Sequence, residues 1–462
     1  MHTSASRRSH RRSASTIWSG GLIAAALLVA SCSDDSGATT STDGAGQSTD
    51  APTSVDATDT TQATDDTAGS DTTEATTTPG SSFDFAGLPA PTGEEMKVGL
   101  VNTEGTPGLD YPEIRVDIEA AVDYLNEHGG FGGRPIALET CVAKGSPESS
   151  QACAQELAGK GVELVLIGLD LFPDYATYTA AGIPVIGALP IFPADYTANA
   201  LFMTGGNATV AAAMAGVAKE HFDASSVAII SSDSPGSNQT EAALSASLDL
   251  LGIAHTTVKG GDNETDAGFQ GLMREAAKDS PDVLVSLYSD DGCIGTMRGR
   301  AAMAIDIPVI TTAVCAGRSV LDEVGDDALG WTFVGVSTKA DTPEQRLLQE
   351  IVAPTLGVEP AEVDSAELGL GALGLIEIMS LAKFSHMMVA DGLEVTGPGM
   401  FDYLGTTPGL TQWPNNSPIE CGVAATYPTV CSFVFPVGEY VEGGEVRALE
   451  GLETLSAKPY LP

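Results

Sequence analysis

The sequence predicts an α/β protein built from doubly wound, largely parallel sheets, and three observations carry that prediction. Beyond residue 90, short β-branched or apolar runs alternate with stretches of helical period, the pattern of repeated βαβ units. Several runs are continuously apolar, as at Val283-Leu-Val, which suits strands covered on both faces. The remaining 372 residues suffice for two ordinary domains, each with its own core.

The elements follow in order. Strands are expected at Lys97–Asn102, Ile136–Cys141, Val162–Ile167, Pro184–Gly187, Val227–Ser231, Val283–Tyr288 and Val309–Thr312. Between them, helices are expected at Ile114–His128, Ser150–Lys160, Val210–His221, Glu241–Leu251 and Phe269–Lys278. Ser146 before Pro147, and Thr265-Asp266 before Phe269, are N-cap signals. Gly129, Gly130 and Gly132 supply the positive φ angles of a tight helix exit. They close a helix rather than open one after a strand, which excludes a dinucleotide-binding reading.

The amino-terminus speaks to compartment. Arg7, Arg8, Arg11 and Arg12 precede an apolar run of 14 residues, Ile17 to Ala30. That length fits a signal-peptide core and falls short of the ~20 apolar residues of a spanning helix. Val29-Ala30-Ser31-Cys32 resembles the bacterial lipobox, which implies cleavage after residue 31 and lipidation of Cys32; the arginine pairs raise the twin-arginine route, but the apolar residues expected just after the pair are missing, which favours the Sec route. Residues 32–90 are rich in Ser, Thr, Asp and Ala; Ser33–Ala90 holds 11 acidic residues and no Lys or Arg. Such a segment cannot offset its ordering entropy and reads as a disordered tether spanning roughly 40 Å.

From residue 91 the chain carries 17 Lys and Arg against 51 Asp and Glu, a net charge of −34. Nucleic acid and anionic lipid surfaces are therefore disfavoured as partners, and the membrane is approached only through the lipid anchor. Apart from Cys32 there are six cysteines, without zinc or thioredoxin spacing. Export favours disulfides, and sequence separation favours Cys141–Cys153, Cys293–Cys315 and Cys421–Cys431, one of 15 connectivities.

Lys97-Val-Gly-Leu-Val, then Ala120-Ala-Val-Asp-Tyr-Leu-Asn126-Glu-His-Gly129-Gly-Phe-Gly132-Gly-Arg-Pro-Ile136, resembles the opening of type I periplasmic binding proteins of the leucine/isoleucine/valine-binding class. Gly161–Gly168, Gly182–Ile186, Ser226–Asp233, Thr265-Asp266 and Pro281–Val285 extend the match in the same order, as far as about Gly335. The resemblance implies two Rossmann-like lobes joined by three hinge crossings, with the ligand cleft between them. Lobe 1 would hold 96–206 and 340–433, and lobe 2 would hold 207–339 and 434–462. It also implies a monomer that receives a small molecule and works with ABC permease and ATPase subunits. A tethered sensor of the same fold, passing occupancy to a signalling partner, stays open as the alternative.

No nucleophile elbow, HExxH helix or P-loop occurs, so neither an enzyme nor a cofactor or metal is expected. Asp262–Asp266 lacks the Gly and Glu of a calcium loop. Ligand-binding candidates lie on loops that follow strands: Tyr111, Asp170, Leu171, Phe172, Leu189, Ile191, Phe192, Asp233, Ser234, Tyr288, Asp290, Asp291 and Val314. Phe172 and Phe192 face ligand or fill lobe core, and Tyr111 faces ligand or solvent. Asp290 and Asp291 hold a polar ligand end or cap a helix. The resemblance implies hydroxyls for a ligand carboxylate at the loops after the third and fourth strands, and an acid at Val314. Apolar side chains stand there instead. A largely apolar organic solute, an acid or amide, is therefore expected, with free leucine, isoleucine or valine bound poorly.

Overall fold

The computed structural model describes residues 83–106, 110–289, 291–336, 341–363 and 368–462. Within them the first sheet has five parallel strands: β1 (Met96–Thr103), β2 (Ile136–Ala143), β3 (Leu164–Ile167), β4 (Val185–Gly187) and β5 (Ala200–Phe202). Their order is β2-β1-β3-β4-β5, so the winding reverses between β1 and β3. Helices α1 (Pro112–Glu127), α2 (Pro147–Lys160) and α3 (Tyr175–Ala181) make the crossovers. Ser146 caps α2 by accepting from the Ser149 N–H, as its position before Pro147 predicts. The glycines after α1 have φ of 87°, 56° and 57° at Gly129, Gly130 and Gly132.

The chain then runs through α4 (Asn207–Glu220), β6 (Ser226–Ser232), α5 (Pro235–Leu251), β7 (Ala254–Gly260), α6 (Asp266–Ala276), β8 (Val283–Leu287) and α7 (Asp291–Ala302). Next come β9 (Val309–Thr312), α8 (Arg318–Val324) and β10 (Trp331–Val334). Thr265 caps α6. These strands pair in parallel in the order β7-β6-β8-β9-β10, and the winding reverses between β6 and β8.

The last strands of this sheet are antiparallel. Here β13 (Val434–Val441) joins β10 antiparallel, and β14 (Glu445–Ala448) and β15 (Thr454–Ser456) pair antiparallel with β13. Gly443 and Gly444, at φ 102° and 86°, turn the chain within three residues, and so short a link joins only antiparallel strands.

Before β13, helices α9 (Pro343–Leu356), α10 (Gly371–Ala390) and α11 (Gly397–Thr406) and the small hairpin of β11 (Leu410–Thr411) and β12 (Pro418–Ile419) cover the first sheet. Their apolar residues, among them Leu375, Ile378 and Met379 of α10, share one core with Leu100, Leu166 and Ile186 of the sheet and Ile114 and Ile118 of α1. Although α10 is long and apolar enough to cross a membrane, 78% of its apolar window is buried inside the protein, the mark of a core helix.

The tether expectation needs correction at its end. Phe85 is fully buried in this core and Leu88 packs against it. Phe83 meets the Phe85 ring at 4.6 Å and His386 at 5.6 Å. Two aromatic residues bury enough apolar surface to offset the ordering of a few neighbours. Residues 83–90 therefore belong to the folded domain, while the rest of the expected tether, the signal segment and Cys32 lie outside the described residues.

The three disulfides have the expected pairing, Cys141–Cys153, Cys293–Cys315 and Cys421–Cys431. They tie β2 to α2, the start of α7 to the turn after β9, and two points flanking the loop after β12.

Candidate ligand cleft

Open α/β sheets bind ligands beyond the carboxyl ends of their strands, where the winding reverses. In the first sheet that point lies between β1 and β3, and Asn102 ties its loops together. Asn102 is fully buried; its amide donates to the Tyr111 carbonyl at 2.8 Å and accepts from the Leu169 N–H at 3.1 Å. Tyr111, at the head of α1, is thereby fixed beside the loop that leaves β3.

A cleft of about 540 Å3 opens at this edge. One wall comes from the first sheet's layer: Tyr111, Glu113, Val116 and Asp117 at the start of α1, then Thr355 and Leu356 ending α9, and Leu368 and Leu370 before α10. The other wall comes from the turn after β9 and the head of α8, at Val314, Gly317 and Ser319. The Cys293–Cys315 bridge holds that turn, with both cysteines fully buried.

Asp117 is the unusual member. It is 4% exposed and stands on the core face of α1 among Ile114, Ile118 and Ala121. Burial and then the neighbouring Glu113 push its carboxyl up to about 7.

The other candidates divide. Tyr111 and Val314 line the cleft. Phe172 is 41% exposed and stacks on Phe192 at 6.4 Å, on the loops leaving β3 and β4. Leu171, Leu189 and Phe192 pack against the first core from partly buried positions, and Ile191 is buried in it. Asp170, 3% exposed, is a correction: it accepts from Ser150 Oγ at 2.6 Å and the Phe172 N–H at 3.1 Å, so it braces its own loop. Burial pushes its carboxyl up.

Tyr288 is a second correction, since it is 3% exposed, packs edge-on against Phe269 and donates to the Gly261 carbonyl at 3.3 Å. Ser234 is partly buried, caps α5 and hydrogen-bonds Ser232 and Ser237. Asp233 is exposed and accepts from Asn238 at 3.2 Å. Asp291 is exposed in the first turn of α7, where a carboxylate favours the helix dipole, and Asp290 lies outside the described residues.

Sequence reasoning missed Asp117, Thr355, Leu356, Leu368, Leu370 and Ser319. Asp117 left one signal: it follows Ile114 by three positions and precedes Ala121 by four, an acid inside a stripe otherwise apolar. Asp195 was missed too. It is 3% exposed and accepts from the Ile191 and Phe192 N–H groups at 2.7 and 2.8 Å and from Tyr175 Oη at 2.7 Å, which sets the loop after β4.

Residues 95–376 match the family model described as periplasmic binding protein. The chain belongs to that family. Its members bind solutes rather than transform them, and two parallel-sheet lobes are their fold. No curated protein sequence matches the chain. Solved structures share the fold of this binding protein at low identity. The leucine binding protein of Thermotoga maritima is 13% identical at a TM-score of 0.60, over 79% of this chain and 99% of its own. A branched-chain amino acid transporter substrate binding protein from Streptococcus pneumoniae, in complex with isoleucine, is 16% identical at 0.58, over 79% and 100%. A solute binding protein of an ABC transporter from Rhodopseudomonas palustris, in complex with p-hydroxybenzoic acid, is 17% identical at 0.59, over 80% and 98%.

Proposed function

We propose that this binding protein is the extracytoplasmic receptor of an ABC importer, tethered through lipidated Cys32, and that it captures a small, largely apolar organic solute between its lobes. The observation that carries the reading is the 540 Å3 cleft, whose walls come from the layers of both sheets, so that a solute bound there would hold them together. We further propose that the lobes comprise 96–206 with 340–433 and 207–339 with 434–462. Their crossings fall near 204–207, 337–340 and 433–436, the second of them outside the described residues.

The wall supports an apolar body for the solute, since Val116, Val314, Leu356, Leu368 and Leu370 line it. Burying such a body gains about 25 cal/mol per Å2. Of the acid and amide ends left open by the sequence, the buried carboxyl of Asp117 in the lining disfavours the acid. Free branched-chain amino acids should bind poorly, because both their charges must be satisfied once buried.

A thermal-shift screen over amines, amides, aromatic acids and amino acids tests the ligand class. A true ligand at ~100 Kd adds about 2.7 kcal/mol. Co-purification with a permease from native membranes tests the transport role. A chain that copurifies with a signalling protein instead, and with no permease, refutes it in favour of the sensor.

A further inference from the structure

We infer, resting on the lobe division proposed above, that the loop closed by Cys421–Cys431 is a brace that holds the two lobes at one angle and thereby sets the width of the cleft. One end of the loop is tied to the first sheet. The Phe202 N–H of β5 donates to the Thr429 carbonyl at 2.8 Å, and the Cys431 N–H donates to the Phe202 carbonyl at 2.9 Å. Val430 thereby pairs with Phe202 in parallel, beside the edge strand. Cys431 is buried in the first core, Cys421 packs against it, and their bond closes the loop at a sequence separation of 10.

The body of the same loop is buried against the other lobe. Tyr427 and Val430 belong to the core between α4 and the second sheet, together with Ala211, Met214 and Ile229. Tyr196 enters that core from the first sheet's side, and its ring meets Tyr427 edge-on at 4.9 Å. The Tyr196 hydroxyl accepts from the Ala208 N–H at 3.3 Å, one of the donors that the first turn of α4 leaves without a partner in the helix. Val430 and Cys431 are neighbours in the chain, yet they stand in different cores. Lys458 of the carboxyl-terminal tail also pairs with Glu420 at the base of the loop, but both are exposed and the pair adds little.

Lobes joined by a few crossings move against each other unless an apolar interface holds them. Here the closed loop makes that interface. It stands at β5, two strands beyond β3, while the cleft opens at β1 and α1, so a small rotation at the brace becomes a larger change at the cleft.

Paired spin labels on the mature chain test this. Asp123→Cys with Asp279→Cys places one label on an exposed position of each lobe, and Asp123→Cys with Asp402→Cys places both on lobe 1. The wild type should give one narrow inter-lobe distance. Cys421→Ala with Cys431→Ala, and separately Tyr427→Ala, should broaden that distribution about two-fold while the pair within lobe 1 stays narrow. Native fluorescence of Trp413 and Trp331 confirms that both lobes are folded. Tyr196→Phe keeps the ring and removes only the hydroxyl at the head of α4, so it should broaden the distribution less, and it decides the matter if neither loop variant folds. A broad inter-lobe distance in the wild type, or an unchanged one in every folded variant, overturns the brace. Broadening of both label pairs overturns it too, and places the fault in the lobe division.

Discussion

Replacing Phe85 with alanine is the sharpest test of where the folded domain begins. Phe85 is fully buried in the first core, with Phe83 edge-on at 4.6 Å. A buried phenylalanine removes at least ~150 Å2 from water, which at about 25 cal/mol per Å2 is roughly 4 kcal/mol. Truncation to alanine returns part of that and leaves a cavity, so a loss of about 3–5 kcal/mol is expected. Were residues 83–90 a continuation of the solvated tether, the same change would cost under ~0.5 kcal/mol. Urea unfolding of the mature chain, read by tryptophan fluorescence, measures the difference. Trp413 lies in the same core and reports the first lobe, and Trp331 lies in the second lobe's core and serves as internal reference. Phe172→Ala, at a 41% exposed position, is the control and should cost much less. A Phe85→Ala midpoint within error of wild type would refute the packing argument.

Four further outcomes follow from particular residues. Glu377 is fully buried on α10 with both carboxyl oxygens unpartnered, and burial pushes its carboxyl well up. A raised folded-state value means stability is highest below the unfolded Glu range near ~4.3 and is lost as pH rises, so Glu377→Met should gain about 1–4 kcal/mol at pH 8 and little at pH 4. Parallel pH profiles for the two proteins would exclude this. Asp195→Ala strands two backbone N–H groups and the Tyr175 hydroxyl, and should cost about 2–4 kcal/mol with loss of amide protection at Ile191 and Phe192 in hydrogen exchange. Replacing Cys293 and Cys315 together by alanine opens a loop of sequence separation 22 and should cost about 3 kcal/mol, checked by unfolding without reductant. Cys32→Ala should release the protein from the membrane fraction, and a wild-type protein found soluble and unlipidated in its host would contradict the anchor.

The order of elements was legible because buried parallel strands demand continuous apolar runs, and such runs stand out at Leu164–Ile167 and Val283–Leu287. β7 escaped notice for the opposite reason. As an edge strand it has no fully buried residue, so its sequence carries neither an apolar run nor a clean alternation. α10 escaped because it is buried nearly all round and shows no amphipathic period. At the carboxyl end, β14 and β15 were hidden by their lengths of four and three residues.

The sequence by itself determined the α/β class, the turn chemistry after α1, the caps at Ser146 and Thr265 and the family, and it favoured the disulfide pairing that the fold then showed. Each depends on neighbours in the chain or on spacing along it. Only tertiary structure decided which loop residues line the cleft. Tyr288 and Tyr111 are both tyrosines just beyond a strand, yet one is spent on Phe269 and the Gly261 carbonyl while the other lines the cleft. Asp170 and Asp117 are both buried acids, yet the first is satisfied by Ser150 and its own loop while the second borders the cleft. That difference is set by residues such as Thr355 and Gly371, more than 200 positions along the chain from Asp117 and brought against α1 by packing of the first core. Local sequence specifies how a segment bends and what it buries. Which segments then share a cavity depends on long-range burial.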